Sequence, residues 1–594
     1  MKKKFIRTKR TLTTILPMIV KSSPVFFSLF FVAALLHGIS WGGVTMATQG
    51  LFDAVAKVAN HVGTMKSIYA SLAVLGLLVI GQQIINGLHN FLYIPFQQKS
   101  VGYIMQKVHL KIARINPVEY ENTVVLDSIN KANEGINNAF GMVFTFVMMF
   151  TFFLPYILFM GIWLYTLKPI LAIALVLSSL PLFMTKLLQT RVFTKLEDES
   201  APIRREYDYY EKCLCSREYL KETRTLGAYQ YFNELYHDAL ILLNQKKWKA
   251  EKKACIMDLC AKIFSLVGYL CVLILFVDAL LNGDITTGTF AAIFASIAKM
   301  QEIISGFIDI SGELSKNIGS VDNLLDFLNM PEMNAEDMDV DRKKEIMLKN
   351  VSFRYPGTSR DSLSNINLSI QSGETIAVVG ENGAGKSTLV RLLMGIYLPT
   401  EGSVTIGGKE TKDINRKALF REISGVFQKY QRYQMTLRDN INISDAEKAA
   451  TDKETLEAIK KAGLDMNVPA LQQGMDTMLS REFEGVELSG GQWQRIAIAR
   501  GLHRKHSIII LDEPTASIDP VEESNIYKKF SELSKGITSI LVTHRLGSAR
   551  IADRIVVMDQ GKVVEMGDHD TLMKNRQKYY QMFELQAKWY EQGN

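Results

Sequence analysis

The sequence predicts a multidomain membrane protein in which an all-α domain of six spanning helices precedes a soluble α/β domain. Its 594 residues exceed the size of one ordinary domain. Hydrophobic residues make up 47% and charged residues 22%, and the two kinds are segregated along the chain. Long apolar runs fill the first half, whereas short β-rich runs alternate with helical patterns in the second. We therefore expect a membrane domain at 1–325, a polar linker at 326–345 and an α/β domain at 346–594.

Six apolar runs are each long enough to cross about 30 Å of hydrocarbon. They cover Pro24–Thr48, Ser67–Leu92, Ile136–Leu167, Pro169–Leu188, Cys255–Leu281 and Thr286–Ile310. Two of the connections are tight turns with little positive charge, whereas 95–135 and 189–254 are long and rich in Lys and Arg. Since basic loops stay inside, the sequence predicts a multi-pass protein of the cell membrane with its N-terminus and second half in the cytosol.

Charge and cysteine content argue against two other classes of protein. The net charge of +7 is concentrated at the N-terminus and in the loops between alternate apolar runs. This pattern indicates membrane orientation rather than nucleic-acid binding. The five cysteines are odd in number and absent from the second half, which argues against a disulfide framework. Cys213 and Cys215 leave a metal or redox pair open, although two inert thiols are the simpler interpretation.

The basic N-terminus followed by apolar sequence allows two interpretations. A signal peptide would need a small-residue cleavage site, which does not follow, and a shorter apolar run. Leu12, Ile15, Leu16 and Ile19 recur at helical spacing next to basic residues. We therefore expect an uncleaved amphipathic helix lying on the inner leaflet.

The two long basic loops are too large to be simple connectors. Residues 221–253 have helical periodicity, strong helix formers and no proline. We expect the spanning helices to continue into the cytosol and to end in short transverse helices near Pro117–Ser128 and Arg217–Gly227. These transverse helices are expected to contact the second domain; a long solvated hairpin without a role is the alternative.

A strand that runs into G-x-x-x-x-G-K-S, from Gly380 to Ser387, indicates a phosphate-binding loop. The glycines let backbone N–H groups turn toward phosphates, and the following helix adds its positive end. Lys386 is expected to reach the β- and γ-phosphates, and the Ser387 hydroxyl to bind Mg²⁺. The predicted nucleotide cradle comprises Gly380, Glu381, Asn382, Gly383, Ala384, Gly385, Lys386, Ser387 and Thr388.

The sequence SIIILDEP places two carboxylates at the end of an apolar strand. Asp512 is positioned to hold Mg²⁺ through water, and Glu513 to act as the general base on an attacking water. An acidic turn after a core strand is the structural alternative, which the upstream phosphate-binding loop makes the weaker one.

The motif LSGGQ, at Leu488–Gln492, opens a helix and forms a second anion-binding N-terminus. One nucleotide hardly needs two such cradles in a single domain. If two copies pack head to tail, Ser489, Gly490, Gly491 and Gln492 of one copy can close on the γ-phosphate held by the other.

With these motifs the chain resembles ABC exporters along its whole length. The resemblance implies a dimer that binds ATP and Mg²⁺ and transports by alternating access. It also implies that Tyr355 stacks on adenine and that Gln428 senses Mg²⁺ and the attacking water. Asp519 would communicate across the dimer, and His544 would contact the γ-phosphate. For Tyr355 and His544 an ordinary structural role is the alternative.

Two segments depart from the common exporter pattern, FQKYQRYQ around Gln428 and GVELSGGQWQ at the signature. Both resemble exporters of modified antimicrobial peptides of the lantibiotic type. The resemblance predicts export of a peptide, and the short N-terminal segment predicts no leader peptidase. The alternatives are a lipid or multidrug exporter, an importer with this fold, or a non-transporting ATPase sensor.

Polar residues within the predicted spans are candidates for contact with a peptide or amphiphilic substrate. Gln82, Gln83 and Asn86 lie at a depth similar to that of Lys299 and Glu302. A Lys299–Glu302 pair that satisfies itself is an equally good interpretation. Because every catalytic motif is intact, the chain is predicted to form a homodimer; an intact half paired with a degenerate partner chain is the alternative.

Overall fold

The structure, a computed structural model, describes residues 2–332, 345–448, 450–513, 530 and 536–591. It divides into two compact units. The first comprises Met1–Ala113 and Ser128–Met330, and the second Arg114–Asp127 and Pro331–Asn594. The sequence-based boundary assigned all of 1–325 to the membrane domain, whereas the contacts of residues 114–127 group them with the second unit.

The first unit is built from α-helices. They are α1 (Lys2–Ser22), α2 (Pro24–Ala59), α3 (Met65–Arg114), α4 (Thr123–Met148), α5 (Leu154–Leu167), α6 (Pro169–Cys215), α7 (Arg217–Thr225), α8 (Tyr229–Leu281) and α9 (Thr287–Leu328). Among the described residues, six helical segments are long and apolar enough to cross a membrane. They begin at Pro24, Met65, Thr123, Pro169, Tyr229 and Thr287. The predicted six spans are therefore confirmed.

Helices α6 and α8 extend well beyond any bilayer. They contain 47 and 53 residues, which corresponds to about 70–80 Å at a rise of 1.5 Å per residue. The predicted continuation of the spanning helices past the membrane is thus confirmed. The short helix α7 connects them, at the position expected for a transverse helix.

The N-terminal helix α1 places its apolar side against protein. Ile15 and Ile19 are fully buried within the first unit. The Arg10 guanidinium lies 3.4 Å from the Asp326 carboxylate of α9. The amphipathic pattern predicted from the sequence is present, and part of its apolar face packs on the helical bundle.

The third span contains a π-helical turn at Met149–Phe153, between α4 and α5. Gly38 of α2 lies so close to this turn that a Cβ would stand 2.7 Å from the carbonyl oxygens of Thr151 and Phe152. The Met and Phe residues of this span therefore differ in their exposure. Phe153 is buried, whereas Phe150 is 48% exposed.

The second unit contains two sheets. Their strands are β1 (Ile346–Phe353), β2 (Leu363–Ile370), β3 (Thr375–Gly380), β4 (Glu401–Ile406), β5 (Lys409–Glu410), β6 (Ile423–Val426), β7 (Ile508–Asp512), β8 (Thr538–Val542), β9 (Arg554–Asp559) and β10 (Lys562–Gly567). The smaller sheet is antiparallel, in the order β2-β1-β4-β5. The larger has the order β10-β9-β3-β8-β7-β6 and is parallel except for β10.

Helices flank these sheets and complete the core. They are α10 (Lys386–Leu393), α11 (Arg416–Glu422), α12 (Leu437–Asn442), α13 (Asp452–Ala462), α14 (Gly490–His503), α15 (Leu546–Ala549), α16 (His569–Asn575) and α17 (Lys578–Glu591). One apolar cluster joins α10 to both sheets. A second packs α12, α13 and α14 against β6 and β7. The predicted α/β architecture is confirmed, with the functional loops at strand ends.

A short 3₁₀ segment, Pro117–Glu121, forms part of the second unit. Its Glu121 carboxylate accepts a 2.6 Å hydrogen bond from the Tyr397 hydroxyl. The same carboxylate lies 3.7 Å from the Arg391 guanidinium. Val118 packs on the apolar cluster around α10. The predicted contact between a transverse segment near Pro117 and the second domain is confirmed.

Candidate functional site

Strand β3 ends in a loop that contains three glycines with positive φ angles. Gly380, Gly383 and Gly385 have φ angles of 157°, 83° and 99°. A Cβ on Gly380 would stand 2.4 Å from the Met558 carbonyl oxygen, and one on Gly385 would stand 2.8 Å from Leu363. The loop therefore turns tightly against β9 and β2 and delivers the chain to the start of α10.

The Lys386 side chain is hydrogen-bonded to the backbone of this loop. Its Nζ donates to the carbonyl oxygens of Gly380 at 2.8 Å and Glu381 at 3.1 Å. Burial lowers the pKa of Lys386, and the carboxylates of Glu513 and Asp512 oppose that shift. A buried cation at the mouth of a helix N-terminus is suited to hold phosphate oxygens.

A cavity of about 680 Å³ opens over the loop. Its lining includes eight consecutive residues of the predicted cradle, Glu381–Thr388, together with Gln428 and Glu513. The structure thus brings the phosphate loop, the predicted glutamine and the predicted base into one space, although these residues are far apart in sequence.

Glu513 is held in a strained position at the end of β7. Its φ is +49°, a left-handed value that costs a non-glycine residue energy and is typical of functional sites. The carboxylate accepts a 2.8 Å hydrogen bond from Gln428 Nε2. On its other oxygen it lies 3.1 Å from His544 Nδ1. Gln428 and His544, from two other strand ends, therefore converge on the Glu513 carboxylate.

Oxygen ligands suitable for Mg²⁺ lie beside this carboxylate. Burial raises the pKa of Asp512, the neighbouring Glu513 adds to the shift, and a hydrogen bond with Ser387 opposes it. The Ser387 hydroxyl, the Asp512 carboxylate and the Gln428 amide supply the neutral and anionic oxygens that Mg²⁺ prefers. The residues present therefore fit the ion.

Tyr355 lies at the rim of the smaller sheet. Its hydroxyl is 3.1 Å from the Thr388 hydroxyl and accepts a 3.0 Å hydrogen bond from Arg391. Its ring packs edge-on against Phe353, at 5.0 Å between centroids. The ring is therefore fixed next to the helix that starts at the phosphate loop, although Tyr355 is not among the described residues that line the cavity.

The signature residues lie elsewhere in the unit. Ser489 caps α14 through a capping box, in which its hydroxyl accepts from Gln492 N at 3.3 Å and its own N–H donates to Gln492 Oε1 at 2.8 Å. A Cβ on Gly490 or Gly491 would meet no atom within 4 Å. None of these residues is among the described residues that line the phosphate cavity. The remaining predicted site residue, Asp519, lies outside the described residues.

Two residues that the sequence analysis did not single out contact this machinery. Arg391 joins Tyr355 to Glu121, as described above. Tyr430 donates a 2.9 Å hydrogen bond from its hydroxyl to the Gly490 carbonyl oxygen. Tyr430 lies inside the unusual FQKYQRYQ segment. The departure of this segment from the common exporter pattern is the sequence signal that could have identified Tyr430.

Comparison with known proteins agrees with this arrangement. A family model described as ABC transporter matches residues 363–516. The subtilin transport ATP-binding protein SpaT of Bacillus subtilis is 28% identical over 547 residues, which cover 90% of this chain and 88% of that protein. The nisin transport ATP-binding protein NisT of Lactococcus lactis subsp. lactis is 41% identical over 235 residues, 39% of each chain.

Two further matches concern other members of the family. An ATP-dependent lipid A-core flippase of Syntrophus aciditrophicus is 34% identical over 312 residues, 52% of this chain and 51% of the flippase. The solved structure of a bacterial Atm1-family ABC exporter with ATP bound superimposes with a TM-score of 0.77. It is 20% identical and covers 94% of this chain and 98% of that one, and it shows the fold.

Sequence motifs, the six spans, the α/β unit with its phosphate loop and these similarities lead to one assignment. The chain carries an ABC transporter domain at 363–516 and has the architecture of an ABC exporter half-transporter, a membrane domain joined to an ATPase domain that couples ATP hydrolysis to transport.

Proposed function

We propose that two copies of this chain form an exporter that moves a peptide out of the cytosol. The observation that carries the ATP-driven part is the cavity in which Lys386, Gln428 and Glu513 meet. A phosphate cradle and a carboxylate base in one space are what hydrolysis of a γ-phosphate needs. The second unit is cytosolic in this proposal, because an even number of spans returns the chain to the side of its basic N-terminus.

We assign the predicted residues the following roles. Lys386 and the N–H groups of the loop hold the phosphates, and Tyr355 stacks on the adenine. Glu513 accepts the proton of the attacking water, while Gln428 and His544 orient the Glu513 carboxylate. Ser387, Asp512 and Gln428 would hold Mg²⁺, which neutralises charge on the phosphate oxygens.

The working unit is a homodimer. Lys386, Ser489, Asp512, Glu513 and His544 are all present, so one kind of chain can supply two complete ATP sites. The signature lies away from the phosphate cavity of its own chain, which favours a partner chain whose bound nucleotide it can contact. Expression of the chain alone should therefore yield a dimer that hydrolyses ATP. A monomer without ATPase activity would require a different partner subunit.

The proposed cargo is a peptide, and an antimicrobial one fits the resemblance best. The relative aligned over nearly the whole chain is a subtilin transporter. The alignment with the lipid A-core flippase extends over about half of the chain. The FQKYQRYQ and GVELSGGQWQ segments support the same choice.

Polar groups within the spans support a cargo with hydrogen-bonding groups. Lys299 pairs with Glu302 at 2.8 Å and lies 4.1 Å from the Trp41 ring centroid, so this pair is largely satisfied. Gln82 and His89 are 4% and 5% exposed, and the Nε2 atom of each has no hydrogen-bond partner among the described residues. The unpaired Gln82 amide donor within a membrane favours a ligand or water that supplies an acceptor, and peptide carbonyl groups are such acceptors.

The ATP site is tested by Glu513→Gln. The variant keeps the cradle and loses the base, so it should bind ATP while hydrolysing it at least about tenfold more slowly. It should also accumulate as an ATP-bound dimer on size-exclusion chromatography. Turnover close to that of the parent would remove Glu513 from its assigned role.

The cargo is tested in sealed inside-out vesicles supplied with ATP. Candidate peptides encoded beside the gene should become protected from added protease, and they should stimulate the ATPase activity of the purified dimer. The variant Gln82→Leu should raise the peptide concentration for half-maximal stimulation, whereas Gln83→Leu, at an exposed neighbouring position, should not. If lipids or dyes are transported and no such peptide has an effect, the exporter assignment stands and the peptide cargo is rejected.

A further inference from the structure

The segment that follows Gln428 contacts the signature helix α14 in both its first and its last turn. Tyr430 donates from its hydroxyl to the Gly490 carbonyl oxygen at 2.9 Å, in the first turn of α14. Arg500, in the last turn of the same helix, donates to the Gln431 carbonyl oxygen at 3.3 Å and lies 4.9 Å from the Tyr433 ring centroid. Tyr430, Gln431 and Tyr433 of FQKYQRYQ therefore all contact one helix.

A buried asparagine fixes the far end of this segment. Asn440 is fully buried, and its Nδ2 donates to the carbonyl oxygens of Tyr433, Met435 and Thr436 at 3.0–3.2 Å. Arg500 donates to the backbone and side-chain oxygens of Asn440 at 2.8 and 3.0 Å. Buried, charge-assisted hydrogen bonds of this kind hold a loop in one shape.

The near end of the segment contacts the hydrolytic carboxylate. Gln428 donates to Glu513 at 2.8 Å, and only Lys429 separates Gln428 from Tyr430. A chain of two residues can span at most about 7 Å, so Tyr430 stays tethered close to Gln428. A Cβ added to Gly490 would meet no atom within 4 Å, so no neighbouring side chain packs over this end of the link.

We propose that Tyr430 is a positioning residue that couples the two ATP sites of the dimer. The inference rests on the proposed function, in which the signature of one copy faces the nucleotide of the other. Movement of Gln428 at one site shifts Tyr430, which shifts Gly490 and the N-terminus of α14 at the other site. Occupancy of one site thereby sets the affinity of the second, which is a coupling free energy between the sites.

The test compares Tyr430→Phe with Tyr433→Phe. The first substitution removes the hydroxyl that reaches Gly490. The second removes a hydroxyl that has no hydrogen-bond partner among the described residues, and it keeps the ring under Arg500. Both variants are purified as full-length dimers in lipid, and the rate of hydrolysis is measured across ATP concentrations.

The parent and Tyr433→Phe should hydrolyse ATP cooperatively, with a Hill coefficient above one. Tyr430→Phe should give a Hill coefficient near one, a half-maximal ATP concentration about three- to tenfold higher, as loss of one hydrogen bond allows, and a saturated rate within about twofold of the parent. An unchanged Hill coefficient in Tyr430→Phe, an equal loss in both variants, or a parent without cooperativity would each overturn the proposal. Glu513→Gln tests the ATP site separately, so failure of the coupling leaves that assignment intact.

Discussion

The two anion-facing helix ends of the second unit, at Lys386 and at Gly490, are built in opposite ways. The first is enclosed: Lys386 is 7% exposed, and a Cβ on Gly385 would stand 2.8 Å from Leu363. The second is open, because a Cβ on Gly490 or Gly491 would meet nothing within 4 Å. A complete cradle binds a nucleotide within one chain, whereas an open one is suited to close on a nucleotide that another chain brings.

Loss of the enclosed cradle should give the largest effect. Lys386→Ala removes the buried cation that donates to Gly380 and Glu381. We expect ATP binding and hydrolysis to become undetectable in nucleotide-binding and phosphate-release assays, since a charge-assisted contact with phosphate is lost in a site of low dielectric constant.

Lys578→Ala is the matched control for that variant. Lys578 lies 2.8 Å from the Glu381 carboxylate, outside the cavity lining. Its contact is an exposed ion pair of small energetic value, so binding and turnover should remain within about twofold of the parent. An equal loss in both variants would mean that the loop responds to any change of charge nearby.

Damage to the open cradle should separate binding from hydrolysis. Gly491→Asp adds a carboxylate at an anion-facing helix end, where it would repel the γ-phosphate of the partner and leave the chain's own cavity unchanged. We expect ATP binding to persist while turnover falls at least about tenfold. Turnover should fall less in Gly491→Asn, because its side chain is of similar size but uncharged. Loss of ATP binding in Gly491→Asp would contradict the separation.

The smallest effects come from adding one methyl group to each cradle. Gly385→Ala places a Cβ against Leu363 at a φ of 99°, which should destabilise the unit by roughly 1–3 kcal/mol. Gly490→Ala meets no neighbour and replaces glycine in a helix, so it should be neutral or stabilising by up to about 1 kcal/mol. Thermal unfolding of the two purified proteins measures the difference, and equal midpoints would contradict the contrast.

Local sequence patterns predicted most of the architecture. The spans follow from apolar length, and the phosphate loop follows from glycine spacing after a strand, because both signals lie within short stretches of chain. The contact of Glu121 with Tyr397 joins positions 276 residues apart. The contact of Tyr430 with Gly490 joins positions 60 residues apart. Such pairings arise from tertiary packing, and no local periodicity encodes them.

The π-helical turn at Met149–Phe153 shows the same limit within one helix. Its sequence, MFTFF, is mostly apolar and gives no sign of a change in helical geometry. The turn lies where Gly38 approaches the carbonyl oxygens of Thr151 and Phe152. Local geometry here accompanies a contact between helices, which a single-segment pattern does not contain.

Disulfide trapping tests most directly whether the open signature closes on the cradle of a second copy. In a background lacking the five native cysteines and carrying Glu513→Gln, one tagged chain receives Asn382→Cys and a differently tagged chain receives Ser489→Cys. Co-expressed and oxidised with ATP, the two chains should form a covalent heterodimer on a denaturing gel, and omission of ATP should reduce its yield. Absence of that heterodimer, together with an intrachain disulfide in a chain that carries both cysteines, would contradict the account.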